Sequence, residues 1–318
     1  MSQEQKIPFL RNFSPAMNLM TVFSLVFLGT IVGTVVLWSM AKIFWNLNTF
    51  EEENLLSDLS NPSIVALVQT SFIISNICIF ITPSTIFRRF MEYPRQDYLL
   101  IRKKPGLKTA GIIFLLFLVC FPASNFLYYV NNLLDFTFLS PDAGRQIREL
   151  ENSSNEFSIR LMMQPGVPAL IINLTATALF AAIGEELLFR GIFQRLFIKL
   201  FRNVHVAVII CAALFSFLHF SYYGFIPRFF MGLVLGYIYL ATANIWYCMF
   251  FHFLNNAFAV TFGWLMGQGY DVRFFDMLGA GEGDKWVGFG LLVIIVAFGI
   301  IALKKIINRE LVNEIREY

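Results

Sequence analysis

Charged residues are scarce in this chain of 318 residues: Asp, Glu, Lys and Arg make up 14% of it, against 57% hydrophobic residues. Soluble domains carry about 25% charged residues. Together with a mean hydropathy of +0.66, this composition excludes a soluble domain and predicts an all-α, polytopic helix bundle embedded in a lipid bilayer. The small net charge of +3 indicates no acidic partner, and we expect no nucleic acid to bind.

Common catalytic and metal-binding motifs are missing as well. Histidine is limited to three residues and cysteine to four. The cysteines lie in apolar stretches without CxxC spacing, so we expect them to be core residues and neither disulfides nor metal ligands. No helix carries HExxH, which excludes the usual zincin layout, and no serine stands in a GxSxG context. The first apolar run is too long for a cleavable signal peptide, so we expect it to span the membrane.

Eight apolar stretches predict about eight transmembrane helices. The fourth has 34 residues, which at about 1.5 Å per residue exceeds a hydrocarbon core of about 30 Å. We therefore expect the last turns, Gln194 to Arg202, to emerge into the interface with Arg195, Lys199 and Arg202. A longer apolar run is divided near Thr242–Ile245 into two spans. The predicted spans are Met17–Trp45, Ser63–Phe87, Thr109–Val130, Val167–Leu200, Val204–Phe220, Phe225 to about Thr242, about Ile245 to Gly267, and Trp286–Leu303.

Basic residues are distributed unevenly between the two sides that eight spans would create. The N-terminal tail, the Arg88–Lys108 loop, the Arg195–Arg202 turn and the C-terminal tail are basic and fall on one side, whereas the acidic Glu51–Asp58 loop and the Gly267–Lys285 loop fall on the other. Lys and Arg mark the cytoplasmic side. We therefore predict that both termini are cytoplasmic.

The most unusual stretch lies in the fourth span and holds two carboxylates and a guanidinium within six residues. Each such charge costs at least about 2.5–3.5 kcal/mol at bilayer depth. Glu186 and Arg190 stand at i, i+4 and are predicted to form an ion pair. Glu185 is turned about 100° away and is left without a local partner, available to hold or take a proton. Small residues just before it predict the close approach of another helix: Ala181, Ala182 and Gly184.

Two of the three histidines also lie deep in predicted spans. His219 is in the fifth span, and His252 is in the seventh, one helical turn before Asn256. Because polar groups in lipid must find one another, we expect a single cluster with Glu185. Glu185 and His219 could polarise a water molecule, with His252 and Asn256 donating to an oxyanion. Glu185, His219 and His252 could equally hold a divalent metal, which leaves the choice open.

These residues fall into three motifs, Glu185-Glu186-x-x-x-Arg190, Phe215-x-x-x-His219 and His252-x-x-x-Asn256, in that order and on three apolar helices. The set resembles the CPBP family, the CAAX proteases and bacteriocin-processing intramembrane endopeptidases, also called the Abi family and related to the Rce1-type prenyl protease. The resemblance covers about Val167–Phe262. Within it, none of the motif positions departs from the family pattern.

The resemblance implies an eight-helix fold and peptide-bond hydrolysis near the membrane face. Carried over, Glu185 would activate water with the help of His219, His252 and Asn256 would stabilise the oxyanion, and Glu186 with Arg190 would orient the site. The family is often labelled metalloprotease, whereas other members look like metal-free glutamate proteases. The cofactor is therefore either none or one divalent metal such as zinc, on Glu185, His219 and His252.

The resemblance also suggests a setting and a division of the chain. Prenylated CAAX substrates are expected of eukaryotic and archaeal members, whereas a bacterial-type member would process a peptide or membrane protein, or confer bacteriocin immunity. We expect a bacterial inner-membrane protein. Its parts would be a cytoplasmic tail (1–16), three spans (17–130), an extracytoplasmic polar segment with a surface helix over Asp142–Gln164 (131–166), the catalytic core (167–266), and an outer loop, last span and cytoplasmic tail (267–318).

Two other functions remain open from the residues alone. Intramembrane Glu, His and Arg also mark the ion pathways of proton- or ion-coupled carriers. The sequence shows no inverted repeat, however, and its intramembrane polar groups cluster in the second half. A non-catalytic membrane scaffold that binds partner helices through its 37 phenylalanines is the other alternative. Loss of a motif residue would favour the scaffold, and none is lost.

Overall fold

The computed structural model describes residues 8–47, 58–92, 96–134, 140–272 and 285–317. In these ranges the chain is built from helices, and no strand occurs. We label the helices α1 to α10 in chain order. They are α1 (Pro15–Trp45), α2 (Pro62–Met91), α3 (Leu107–Asn132), α4 (Pro141–Met162), α5 (Val167–Phe201), α6 (Val204–Phe217), α7 (Phe225–Thr242), α8 (Ile245–Gly267), α9 (Lys285–Ile306) and α10 (Arg309–Glu317).

Helix starts follow from side-chain caps that the sequence supplies. The Ser14 and Ser140 hydroxyls accept hydrogen bonds from the first turns of α1 and α4, and a proline follows each of them at the first helical position. Asn203 caps α6 and Asn244 caps α8 in the same way. Such caps satisfy backbone N–H groups that have no partner within the helix. These boundaries are therefore encoded locally.

Within the described residues, six helices are long and apolar enough to cross a membrane: α1, α2, α3, α5, α7 and α8. They account for six of the eight predicted spans. The predicted break near Thr242–Ile245 is confirmed, because Ala243 adopts a left-handed backbone with φ of 47° and Asn244 starts α8. The fifth predicted span corresponds to α6, which has 14 residues, and the eighth corresponds to α9, which has 22. The all-α, polytopic bundle is thus confirmed.

The same end of the bundle holds most of the basic segments. Arg11 donates to the carbonyl of Met91 at 2.8 Å, and Asn244 donates to the carbonyl of Lys103 at 3.0 Å. Arg316 of α10 donates to the carbonyl of Arg202 at 2.9 Å. The start of α1, the loop before α3 and both chain turns at 201–204 and 242–245 therefore share one end. Which side of the membrane this end faces stays a prediction. The acidic Glu51–Glu53 and most of the Gly267–Lys285 loop lie outside the described residues.

The expectation that Arg195 emerges into the interface is wrong, because Arg195 is only 1% exposed. Its guanidinium donates to the Tyr239 hydroxyl at 3.2 Å, lies 4.5 Å from the centre of the Tyr98 ring, and approaches Glu314 of α10 at 3.8 Å. Burial raises the pKa of Tyr98 to about 12, which keeps this hydroxyl neutral. Helix α10 covers Arg195 with buried Leu311 and Ile315, whereas Leu200 and Phe201 at the end of α5 are exposed.

Helix α5 is the centre of the bundle, and it is not a straight α-helix. Wider π-helical turns at Leu174–Leu179 and Phe189–Phe193 flank the regular segment Phe180–Leu188. A further π-helical turn of α2, Asn76–Ile81, packs against that segment at Gly184. A Cβ atom at Gly184 would lie 3.0 Å from the Phe80 Cβ. The predicted close approach at the small residues is therefore confirmed, and its partner is α2.

Candidate active site

The predicted polar residues line one cavity of about 380 Å³ between α2, α5, α7 and α8. Four predicted site residues face it: Glu185, His219, His252 and Asn256. Glu186 and Arg190 are fully buried behind the cavity wall. The expected single cluster is therefore formed, and its members come from two helices, α5 and α8, and from the turn after α6.

Glu186 and Arg190 form the ion pair that their spacing predicts, with 2.9 Å between Arg190 Nη1 and Glu186 Oε1. Arg190 also donates to the carbonyl of Gly232 on α7 at 3.1 Å, and its guanidinium lies 5.0 Å from the centre of the Phe215 ring. A buried pair of this kind is stable only when both charges are matched and hydrogen-bonded. The pair therefore joins α5 to α6 and α7.

The same carboxylate fixes the orientation of His252. Glu186 Oε1 lies 2.8 Å from His252 Nδ1. An ionised carboxylate only accepts hydrogen bonds, so Nδ1 carries the proton and His252 Nε2 points the other way, toward the cavity. Nε2 lies 3.9 Å from Glu185 Oε2.

His219 is also oriented through its Nδ1 atom, in this case by a backbone carbonyl. It lies on the turn beyond the last residue of α6, not within a helix as predicted, since α6 ends at Phe217 and Phe220 has a φ of 49°. His219 Nδ1 is 2.7 Å from the carbonyl oxygen of Phe215, which can only accept. Nε2 is then a free acceptor in the neutral ring, and it lies 3.9 Å from Glu185 Oε2.

Glu185 is the carboxylate left without a direct partner, as its helical position predicts. Its Oε2 atom is buried and forms no hydrogen bond within the described chain, although two imidazole Nε2 atoms stand 3.9 Å away. A gap of this size between polar groups is one that a single water molecule bridges. The arrangement presents one carboxylate oxygen and two ring nitrogens to the same small volume.

The segment that carries these residues also matches a known family model. Residues 167–258 match the family model described as type II CAAX prenyl endopeptidase Rce1-like. The chain contains an Rce1-like domain. The matched segment holds all three motifs and agrees with the predicted range of about Val167–Phe262. No curated protein and no solved structure matches the chain. The Rce1-like match and the long apolar helices support an integral, multi-pass membrane protein.

Asn256 completes the polar side of the cavity in the Rce1-like domain. Its amide nitrogen donates to the carbonyl of Thr177 at 3.2 Å, and its oxygen accepts from Asn255 at 3.3 Å. The two contacts distinguish the nitrogen from the oxygen of the amide. The second N–H of Asn256 is left to donate elsewhere. Thr177 lies in the π-helical turn Leu174–Leu179, and such turns often occur at functional sites.

Arg228 is a cavity residue that the sequence interpretation missed. It lies in the first turn of α7, lines the cavity and interacts electrostatically with Glu185. Its Nη2 donates to the carbonyl of Ser221 at 3.1 Å, while its Nε is buried and forms no hydrogen bond within the described chain. The helix dipole disfavours a cation in the first turn of a helix. The position of Arg228 at the start of an apolar helix was therefore the sequence signal for a functional role. Gly224 leaves room for the Arg228 guanidinium, because a Cβ atom at position 224 would collide with it.

The polar segment before α5 also reaches the cavity. The surface helix predicted over Asp142–Gln164 is present as α4, and its Met162 lines the cavity. Glu151 of α4 is only 6% exposed, accepts from the Ser221 hydroxyl and accepts from the Tyr222 backbone N–H at 3.0 Å. These bonds hold α4 to the turn that carries His219.

The alternative role predicted for Glu185, His219 and His252 is to bind a divalent metal ion. Among the described residues, no three His, Cys, Asp or Glu side chains are placed to hold a metal ion. Ligand atoms 3.9 Å apart around a tetrahedral ion would each be about 2.4 Å from it, beyond the usual 2.0–2.1 Å of zinc to nitrogen or oxygen. Whether Glu185, His219 and His252 hold a metal stays a prediction.

Proposed function

We propose that the protein is an intramembrane endopeptidase that hydrolyses a peptide bond in a peptide or membrane protein through water activated by Glu185 and His219. The observation that carries this proposal is the buried Glu185 Oε2 atom, which has no hydrogen-bond partner in the described chain and faces two oriented imidazoles across one cavity. An unpartnered buried acceptor is costly, so its retention beside two histidines supports a chemical role.

Water activation follows from the hydrogen bonds that orient each group. With Nδ1 donating to the Phe215 carbonyl, the neutral His219 ring presents a lone pair at Nε2. A water molecule between Glu185 Oε2 and His219 Nε2 would donate one hydrogen to each. As its oxygen attacks the carbonyl carbon, one proton passes to Glu185. Such general-base catalysis contributes about 10²–10⁴-fold.

Oxyanion stabilisation is assigned to His252 and Asn256. Attack of water places a negative charge on the former carbonyl oxygen, and donors must already point to that position. Asn256 offers its second amide N–H. Because Nδ1 of His252 donates to Glu186, a further N–H at Nε2 exists only in the imidazolium form, for which Glu186 supplies the counter-charge. Arg228 adds a second positive charge to the cavity wall.

Collapse of the tetrahedral intermediate completes the reaction. The carbon–nitrogen bond breaks, and the leaving amine takes up the proton that Glu185 received from water. Glu185 is thereby returned to its ionised state. Glu186 and Arg190 act as positioning residues, since they contact His252 and neighbouring helices but do not line the cavity. The scheme requires no cofactor.

The proposal is tested by comparing membrane proteomes of cells that carry the wild-type protein, Glu185→Gln or Glu149→Gln. Glu149 is an exposed residue of α4 and serves as the matched control. We expect new peptide termini with the wild type and the control, and none with Glu185→Gln at equal protein level. Identical terminus profiles for the wild type and Glu185→Gln would contradict the proposal.

A further inference from the structure

A second polar pocket, of about 500 Å³, lies at the basic end of the bundle, away from the proposed active site. It opens where α1 begins and α5 ends, and α10 closes its third side. Both α1 and α5 are long enough to span a membrane, so their ends mark the interface with the lipid headgroups. Its lining residues are Phe13, Pro15, Asn18, Lys199, Arg202 and Arg316.

The charges of this pocket are of one sign. Lys199 and Arg202 come from the end of α5, and Arg316 comes from α10, more than a hundred residues later. In the described part of the chain none of the three forms an ion pair, and Lys199 also experiences the positive charges of Arg195 and Arg11. Like charges held together repel each other unless an anion sits between them. The pocket therefore favours an anionic occupant.

Part of this arrangement has a local explanation. Cations at the C-terminus of α5 suit the helix dipole, and Arg316 donates to the last turn through the Arg202 carbonyl. That explanation accounts for one hydrogen bond. It does not account for an open pocket lined by three cations, nor for the buried polar side chain that also lines it.

That polar group is Asn18, which is only 2% exposed. Its amide nitrogen donates to the carbonyl of Leu10 at 3.1 Å, so its Oδ1 atom is the acceptor. Oδ1 is buried and forms no hydrogen bond within the described chain. A hydroxyl donor on the occupant would match it, whereas an ammonium donor would be repelled by the three cations. The pocket thus suits an anionic occupant that also carries a neutral hydroxyl group.

The location favours a membrane lipid as the source of this group. Only 11% of the most apolar segment of α1 is buried in the protein, so α1 borders the lipid. A lipid can therefore enter the pocket beside α1 from within the bilayer. Phe13 and Pro15 add an apolar rim. Basic pockets between transmembrane helices on the cytoplasmic side, where we predict this end to lie, bind anionic lipid headgroups. We propose that this pocket binds the headgroup of an anionic phospholipid with a free hydroxyl, of the phosphatidylglycerol type.

The test uses the full-length protein, stripped of lipid in detergent and titrated by native mass spectrometry. Three lipids with identical acyl chains are compared: phosphatidylglycerol, phosphatidylmethanol, which has the same charge but no hydroxyl, and zwitterionic phosphatidylcholine. We expect phosphatidylglycerol to bind about three- to ten-fold more tightly than phosphatidylmethanol. We expect phosphatidylcholine to bind more weakly than both.

Variants separate the pocket from general surface charge. Lys199→Gln and Arg316→Gln should each weaken phosphatidylglycerol binding about five-fold. Lys104→Gln, which removes an exposed cation at the same end of the bundle, should leave it unchanged. Thermal unfolding of each variant checks its fold, and either pocket variant suffices if the other does not fold.

Three results would overturn the proposal. Equal losses in Lys104→Gln and the pocket variants would indicate general attraction to the basic surface. Equal binding of phosphatidylglycerol and phosphatidylcholine would rule out an anion site. Displacement of phosphatidylglycerol by equimolar glycerol 3-phosphate would assign the pocket to a soluble phosphate ester.

Discussion

At the scale of single residues, the two adjacent glutamates differ in their partners and in their access to the cavity, although the Oε2 atom of each is buried without a hydrogen bond in the described chain. Glu186 is fully buried, bound to Arg190 and His252, and takes no part in lining the cavity. Glu185 faces the cavity and lacks a hydrogen-bond partner for its Oε2 in the described chain. One carboxylate therefore holds the site together, and the other is free for the reaction that we propose.

This division predicts opposite effects of the same substitution. Glu186→Gln leaves the buried Arg190 charge without its counter-charge and should lower the free energy of unfolding by about 3–5 kcal/mol. Glu185→Gln breaks no hydrogen bond that we observe and should unfold like the wild type while losing about 10²–10⁴-fold in turnover. Unfolding by sodium dodecyl sulfate in mixed micelles measures the first effect. Equal destabilisation of the two variants would contradict the division.

The oxyanion role predicts a graded loss at Asn256. Asn256→Ala removes one donor and should lower kcat by about 10²–10³-fold while the protein stays folded. The matched control is Asn132→Ala, because Asn132 donates only to the carbonyl of Tyr128 in its own helix. Turnover of a cleaved substrate by purified protein is the measurement. An Asn256→Ala enzyme with wild-type kcat would remove this residue from the site.

At the scale of the helices, the site depends on how closely α2 approaches α5. The π-helical turn Asn76–Ile81 packs on the segment that carries both glutamates. Asn76 also lines the cavity and has a buried Oδ1 without a hydrogen bond in the described chain. Small residues at the contact allow the backbones of two transmembrane helices to approach each other closely. Gly184 is the residue that provides this space.

Gly184→Ala should therefore destabilise the protein by about 1–3 kcal/mol through overpacking. Its new Cβ would meet the Phe80 Cβ at 3.0 Å and Asn76 Oδ1 at 3.2 Å. Gly111→Ala on α3 is the control, since a Cβ there meets nothing within 4 Å. That control should stabilise α3 by about 0.5–1 kcal/mol. The same detergent unfolding measures both, and a neutral Gly184→Ala would show that α2 can move away.

At the scale of the whole molecule, the structure places the ends of the helices in two groups. The start of α1, the loop before α3, the turns at 201–204 and 242–245, and α10 lie together. The start of α2 lies at the opposite end with the last turn of α4, since Gln164 donates to the carbonyl of Leu59 at 3.3 Å. The basic segments lie predominantly at the first end, as the positive-inside rule requires.

We predict that this basic end is cytoplasmic. Reporter fusions after Lys104 and at Tyr318 should give cytoplasmic signals, and fusions at Glu53 and near Gly281 should give signals from outside the cytoplasm. Glu53, Gly281 and Tyr318 lie outside the described residues, so the fusions test the topology independently of the structure. A cytoplasmic signal at Glu53 would contradict the predicted orientation.

The amino-acid sequence alone determined the features that depend on local backbone geometry. Helical spacing predicted the Glu186–Arg190 pair, which is formed at 2.9 Å, and left Glu185 turned away from it. Capping asparagine and the left-handed Ala243 produced the break between α7 and α8. These outcomes are local because residues within a few positions of each other are placed by the backbone dihedrals of one helix.

Only the tertiary structure decided the contacts between distant segments. His252 binds Glu186 across 66 positions of the chain, Arg195 is buried under α10, and Arg228 enters the cavity from the start of α7. No spacing rule predicts these contacts, since each depends on the direction in which two packed helices cross. The residue types of the site could be identified from the sequence. Their hydrogen bonds, which assign Glu186 to His252 and leave Glu185 free, arise from packing.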